Sequence, residues 1–286
     1  TAQKTTLESK PRWVRFTYSY ACNLDCYHCY QREDATLSNK LPDGFMAQLP
    51  EYVETAQIVY PFGGEPFVFS AVIDFMADHN ANTETRFFLI TNATLLTDEV
   101  FDILDRWPIS TMAASLDAAT ALSFDLLRVR GRNANWGQVM ANLERLSDLK
   151  KRKDFEFTVS MTLNSVNALE IEEFVDLALG LDAEPLIMLA ANPYLTGDFQ
   201  KKFLTFTDAQ FTEMARQIEA GLTKVRARGF SDSEIYIEQL ALHLKLHRDD
   251  DNDPMHFATK KMARKVFRRL PEQVQDPLRR VVQKRR

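Results

Sequence analysis

The sequence predicts an α/β fold built on a parallel sheet. Six short segments rich in β-branched and aromatic residues alternate with helical segments along the first two thirds of the chain. The spacing between successive strands leaves room for a βα crossover each time. A cysteine-bearing loop and a double-glycine segment also fall just after the first two strands, at the carboxyl ends where parallel barrels carry their chemistry.

The first strand is expected over 13–20 (WVRFTYSY), with the cysteine loop directly after it. A helix is expected over 44–55 and a second strand over 56–62 (AQIVYPF), ending in Gly63, Gly64, Glu65 and Pro66. A helix across 67–79 leads to a third strand over 86–91 (RFFLIT) and then Asn92. Thr97 reads as an N-cap before DEVFDILDRW, whose acidic first turn suits the positive end of a helix. A fourth strand follows over 110–116, helical stretches over 119–128 and 135–150, a fifth strand over 155–163, a helix over 168–179 and a sixth strand over 184–190. Thr207 opens a long helix to about residue 228, and 232–248 reads as helical, with a strand as the alternative for its first half. The alternation alone fits both a full eight-stranded barrel and an open six-stranded one. The domain plan is an N-terminal extension over 1–11, a barrel core over 12–230 and a C-terminal region over 231–286.

Charge is distributed unevenly. Residues 259–286 hold eleven Lys or Arg against two acidic residues, so an acidic body carries a basic tail. Three readings of the tail stay open: contact with anionic lipid, binding of RNA or an acidic peptide, or a solvated helix with a frayed end. Asp249–Asp253 reads as part of a solvated linker, and His243 and His247, four apart on a helix, as a surface pair before a metal site. The aromatics read as core, since no RNA-binding motif accompanies them. The longest apolar runs are broken by charges, and no signal-peptide pattern opens the sequence, which begins at Thr1; a cytoplasmic setting is expected.

All three cysteines, Cys22, Cys26 and Cys29, lie within eight residues in a C-x3-C-x2-C loop. A secreted disulfide framework would use an even, dispersed set, so the cluster points to a metal. Such a loop can hold three corners of an iron–sulfur cubane and leave one iron open to a small chelating ligand. A closed structural zinc site would need a fourth donor, and His28, next to Cys29, is badly placed to be it. Zinc and incidental clustering remain the alternatives.

This loop resembles the signature of the radical S-adenosylmethionine (SAM) superfamily, with His28 at the usual aromatic position. Gly63-Gly64-Glu65 is similar to that family's GGE segment, Ile90-Thr91-Asn92 to its ITNG segment with Ala93 in place of glycine, and Ser115-Leu116-Asp117 to its SLDG segment with Ala118 in place of glycine. The resemblance covers about residues 12–195. It implies a partial (β/α)6 barrel with a helical C-terminal extension. It also implies a [4Fe–4S] cluster on Cys22, Cys26 and Cys29, and SAM held among Gly63, Gly64, Glu65, Asn92, Ser115 and Arg128 or Arg130. In the family Glu65's counterpart receives the SAM amino group, the serine lies against the ribose and an arginine pairs with the carboxylate. An external flavodoxin- or ferredoxin-type donor would supply one electron, SAM would be cleaved, and a 5′-deoxyadenosyl radical would abstract hydrogen from substrate.

The order SLD…RVRG…NWGQVMANLERL, then Asn192-Pro193-Tyr194, resembles members with a SPASM or twitch extension, yet no further cysteine remains within these residues for an auxiliary cluster. The same count argues against a cysteine hydrogen donor or a methyl-carrying cysteine. Asn164, Asn192 and Tyr194, near the ends of strands five and six, are candidate substrate contacts. The expected substrate is a peptide or other natural-product precursor, with a saccharide, nucleotide or tRNA as alternatives. The competing class is a non-enzymatic iron–sulfur or zinc protein that binds nucleic acid through its basic tail.

Overall fold

The computed structural model describes residues 10–29, 41–42, 44–78, 84–129, 134–190 and 203–249. Its sheet has six parallel strands: β1 (Trp13–Thr17), β2 (Ile58–Phe62), β3 (Arg86–Thr91), β4 (Ile109–Ser115), β5 (Glu156–Leu163) and β6 (Glu184–Leu189). They pair in chain order, each with its sequence neighbours, and among the described residues β1 and β6 are the edges. This is the partial (β/α)6 arrangement expected. Between the strands run α1 (Phe45–Val53), α2 (Ser70–Asp78), α3 (Asp98–Arg106), α4 (Ala121–Phe124), α5 (Trp136–Arg152) and α6 (Ile171–Gly180), with α7 (Asp208–Arg228) and α8 (Ser231–Asp249) after β6.

The two faces of the sheet are chemically different because side chains alternate along each strand. Phe16, Phe87 and Leu89 point to the helical layer, where Phe87 meets Trp107 edge-on at 5.1 Å and Phe75 packs on both Phe16 and Phe87. The other face carries Arg15, whose guanidinium lies 3.9 Å above the Phe62 ring, with Tyr60 against Phe88 and Thr111 donating to Glu156. That inner face is progressively more polar from β1–β3 to β5, where Thr158, Ser160 and Thr162 are half-buried.

Helix ends follow the sequence signals closely. Thr97 accepts from the Val100 amide, and Thr207 forms a reciprocal capping box with Gln210. Gly229 closes α7 in the left-handed conformation at φ 72°. Helix α8 is helical from its first residue, which removes the strand alternative; Ser233 ties its start to β6 through Glu184 and the Pro185 carbonyl.

Two elements depart from expectation. Strand β1 stops at Thr17 because the next residues bend to meet the Gly63–Gly64 backbone, with the Gly64 amide donating to the Ser19 carbonyl at 3.1 Å. The helix expected over 119–128 divides into α4 and a π-helical turn, Asp125–Val129. The described residues divide into two compact units between Ile237 and Glu238, inside α8. The basic tail, Arg130, Asn192 and Tyr194 lie outside the described residues. No helix among the described residues is long and apolar enough to cross a membrane.

Because Phe87 is fully enclosed between sheet and helices, Phe87→Ala is expected to cost about 3–5 kcal/mol of stability. Urea or guanidinium unfolding measures this; a loss below about 1 kcal/mol would mean that the layer repacks around the void.

Candidate functional site

The cysteine loop, running on from β1, is fastened to each neighbouring strand end in turn. On the β2 side, a side chain at Gly63 would meet the Ser19 carbonyl oxygen at 2.1 Å, and one at Gly64 would meet the Ala21 carbonyl oxygen at 2.0 Å. Gly63 also sits at φ 151°, a region that favours glycine. These two glycines therefore bring their backbone close to that of the cysteine loop itself. The Glu65 amide adds a bond to the Ala21 carbonyl at 3.1 Å.

On the β3 side, Asn23 donates to Thr94 at 2.8 Å and accepts from Asn92 Nδ2 at 2.9 Å. The same Asn92 amide reaches Cys22 Sγ at 3.7 Å. Glu65 holds Asn92 in place: its carboxylate accepts from the Thr91 hydroxyl and the Asn92 amide, each at 2.7 Å. Glu65 is thus buried and accepts from protein donors at both oxygens. Burial pushes its carboxyl up to about 7, and the donors from Asn92, Thr91 and Phe67 offset only part of that effect. Ala93, in the glycine position of this segment, has φ 60°, and its backbone is secured by Thr91 and Asn142.

On the β4 side the π-helical turn brings Arg128 inward. The Tyr27 amide donates to the Leu127 carbonyl at 2.7 Å, joining this turn to the cysteine loop. Arg128 Nη1 donates to Asp117 Oδ2, and His28 Nε2 lies 3.1 Å from the same oxygen. Burial alone would raise the Asp117 carboxyl, but His28 and Arg128 hold it well below the usual carboxylate range. Burial likewise works against the Arg128 charge, which the Asp117 carboxylate, joined by Cys26 once that thiol is ionised, more than restores. Tyr27 stacks edge-on against Phe203 at 4.6 Å, adding a contact beyond β6.

The donor set fits an iron–sulfur cluster with a polar ligand. Cys22, Cys26 and Cys29 stand on one loop, with Asn92 Nδ2 3.7 Å from the Cys22 sulfur, although among the described residues no three His, Cys, Asp or Glu side chains are gathered as they would be around a single bound ion. Burial pushes the Cys22 and Cys26 thiols up, against the pull of Arg128, so they stay protonated until a metal draws out the thiolates. Two buried polar atoms, His28 Nδ1 and Arg128 Nε, have no hydrogen-bond partner among the described residues, as expected where a ligand supplies acceptors.

The expected residues Cys22, Cys26, Gly63, Gly64, Glu65, Asn92 and Arg128 are brought together, and Cys29 follows on the same loop, its amide donating to the Cys26 carbonyl. Ser115 ends β4 half-buried, two residues before Asp117. Asn164 is different. It is fully buried, and its side chain bonds to the Thr162 carbonyl and the Val166 amide, so it organises its own turn. His243 is half-buried, and burial pushes its imidazole down. Asp117 and Thr94 were not singled out as site residues. Asp117 stood within the SLD segment, but its value depends on partners 11, 45 and 89 positions away, which no local pattern displays.

Comparisons with known proteins agree with this geometry. The radical SAM superfamily profile matches residues 16–178, more than half of the chain. The chain is 29% identical over 182 residues to the AdoMet-dependent heme synthase of Methanosarcina barkeri, covering 62% of this chain and 50% of that protein. It is 27% identical over 173 residues to the mycofactocin maturase MftC of Mycolicibacterium smegmatis, covering 59% and 42%. It therefore spans half or less of the length of these relatives. Among solved structures, SuiB of Streptococcus suis bound to S-adenosylmethionine superposes with a TM-score of 0.56 at 18% identity, covering 77% of this chain and 49% of that one. The enzyme anSMEcpe with bound AdoMet and a Kp18Cys peptide gives a TM-score of 0.55 at 17% identity, covering 77% and 62%. At these identities the structures speak for the fold.

Two outcomes follow from the site's construction. Gly64→Ala places a methyl group 2.0 Å from backbone oxygen, so the cysteine loop must shift. It is expected to keep the far-ultraviolet circular dichroism of the wild type but to lose about tenfold or more in iron retained after reconstitution; full iron loading would show the contact to be dispensable. Glu65 binds its proton more tightly folded than unfolded, so its contribution to stability falls as pH rises from about 4.5 to about 7. Glu65→Gln loses one of the two acceptor oxygens, so it is expected to be less stable than the wild type at pH 4 and to lack this fall, the gap narrowing by on the order of 3 kcal/mol towards pH 8, read from denaturation midpoints. Parallel stability curves would contradict this.

Proposed function

The chain belongs to the radical SAM superfamily, an enzyme family that works with a [4Fe–4S] cluster and SAM, and from this premise we propose that it abstracts hydrogen from a peptide or other natural-product precursor. The observation that carries the cofactor half of this reading is the convergence of the three-cysteine loop with Asn92 and Arg128 at one end of the sheet. When bound, the cluster and SAM together supply one-electron chemistry that ends in removal of an unactivated hydrogen atom.

In this proposal Cys22, Cys26 and Cys29 hold the cluster. Gly63, Gly64 and Glu65 set the wall on the β2 side, Asn92 and Ser115 flank the SAM, and Arg128 offers its remaining donors to the SAM carboxylate. The paired, buried polar groups around the loop exclude water, which keeps a reactive species from quenching. The substrate would approach along the inner face of the sheet, between the aromatic wall of Tyr60, Phe62 and Phe88 and the hydroxyl-bearing wall of β5.

The substrate half rests on the segment order through Ser115–Asp117 and residues 136–146 and on the maturase among the relatives. A second reading, action on a tetrapyrrole precursor, is favoured by the heme synthase relative.

Anaerobically reconstituted protein, given SAM and a strong reductant, is expected to form 5′-deoxyadenosine and methionine. Cys26→Ala should reduce this at least about a hundredfold, because a thiolate that bears an iron is removed. A precursor peptide raising the rate above the substrate-free level would support the first reading, and a tetrapyrrole doing so the second. Iron-loaded protein that neither binds nor cleaves SAM would overturn both.

A further inference from the structure

We infer that Asp117 is a positioning residue for the cofactor site: its carboxylate locks Arg128 and His28 into one array, so that the unpartnered Nε side of the guanidinium is the part left for SAM. This rests on the reading above that Arg128 faces SAM.

Asp117 is placed for this by backbone geometry. At φ 61° it occupies the left-handed region directly after β4, a conformation that Asp adopts more readily than most residues. The chain reverses there and the carboxylate turns back over the sheet end. Oδ1 accepts from the Thr162 amide at 2.6 Å, fixing the group to β5. Oδ2 takes both Arg128 Nη1 and His28 Nε2. The backbone carbonyl of Asp117 accepts from Asn167 Nδ2 at 2.8 Å. The carboxylate is therefore immobile, and whatever it holds is held in a fixed direction.

What it holds is unfinished. A buried ion pair kept for stability alone would satisfy its remaining donors, because each unmet one carries a desolvation cost. Here Arg128 Nε is buried and unpartnered among the described residues, as is His28 Nδ1. With Nη1 committed to Asp117, the opposite side of the guanidinium still presents donors in the planar fork that fits a carboxylate. The turn that carries Arg128 is also joined to the cysteine loop, since Leu127 accepts from the Tyr27 amide. Asp117 thus ties the aim of the arginine to the loop that carries the thiols, while touching no ligand itself.

The test uses cluster-loaded enzyme titrated with SAM, following the change that SAM induces in the electron paramagnetic resonance spectrum of the reduced cluster. Asp117→Asn keeps an oxygen for Thr162 but places an amide where the carboxylate held Arg128. It is expected to retain iron, to weaken SAM affinity by about 10–100-fold and to change turnover at saturating SAM far less. In an Arg128→Gln background the same change should add almost nothing, since its effect passes through the arginine. Unaltered affinity in Asp117→Asn, or full additivity with Arg128→Gln, overturns the inference. Should Asp117→Asn fail to fold or to load iron, Arg128→Lys decides: it keeps the charge beside Asp117 but loses Nε, and wild-type affinity there overturns the inference equally. A wild-type holoenzyme that does not bind SAM overturns the reading beneath it and the inference with it, an outcome distinct from a wild type that binds and a variant that binds as well.

Discussion

The approach of the Gly63–Gly64 backbone to the carbonyls of Ser19 and Ala21 is the contact on which the rest of the site is built. Only a chain without side chains at both positions can come so close to another backbone. Once it does, Glu65 is carried into the interior, where its carboxylate fixes Thr91 and Asn92. Asn92 then reaches back to Asn23 and the Cys22 sulfur. The result is a closed circuit of hydrogen bonds that starts and ends on the cysteine loop. Such circuits reinforce themselves in a low-dielectric setting, and they are unforgiving if one member is lost.

Electrostatics works on the same principle of shared confinement. Asp117, Arg128 and His28 are charged or polar groups removed from water, and each is tolerable only because the others are present. Glu65 has no cation in contact, so burial shifts its carboxyl toward the neutral form instead. Two carboxyl groups a few residues past strands β2 and β4 therefore behave oppositely. The one with a guanidinium beside it stays ionised, and the one surrounded by amides and a hydroxyl is poised near neutrality.

Much of the fold was legible because it depends on local signals. Thr97 and Thr207 stand at helix starts as their hydroxyls require, and the apolar run Phe87–Ile90 inside RFFLIT marks β3. The cysteine spacing and the double glycine were legible for the same reason, being short and contiguous. Features decided by distant partners were not. Asn164 resembled a loop residue free to meet a substrate, yet its neighbours Thr162 and Val166 claim its side chain. Glu65 reads as an acceptor in the sequence, but its donors 26 and 27 positions away do not show there. The π-helical turn was hidden too: its residues favour a helix, and only its docking to Tyr27 shows why the turn widens and where Arg128 points.

Pairing of the strands in chain order has a consequence for how the protein is made. The thiols at Cys22, Cys26 and Cys29 leave the ribosome about a hundred residues ahead of Arg128, and the walls of their cradle arrive one βα unit at a time. During that interval the nascent chain exposes three adjacent thiols with no pocket around them, open to oxidation or to capture of the wrong metal. Cluster delivery is therefore a late event in biogenesis, and in a cell the period of greatest risk for this chain falls during translation, before the fourth strand and its turn have folded.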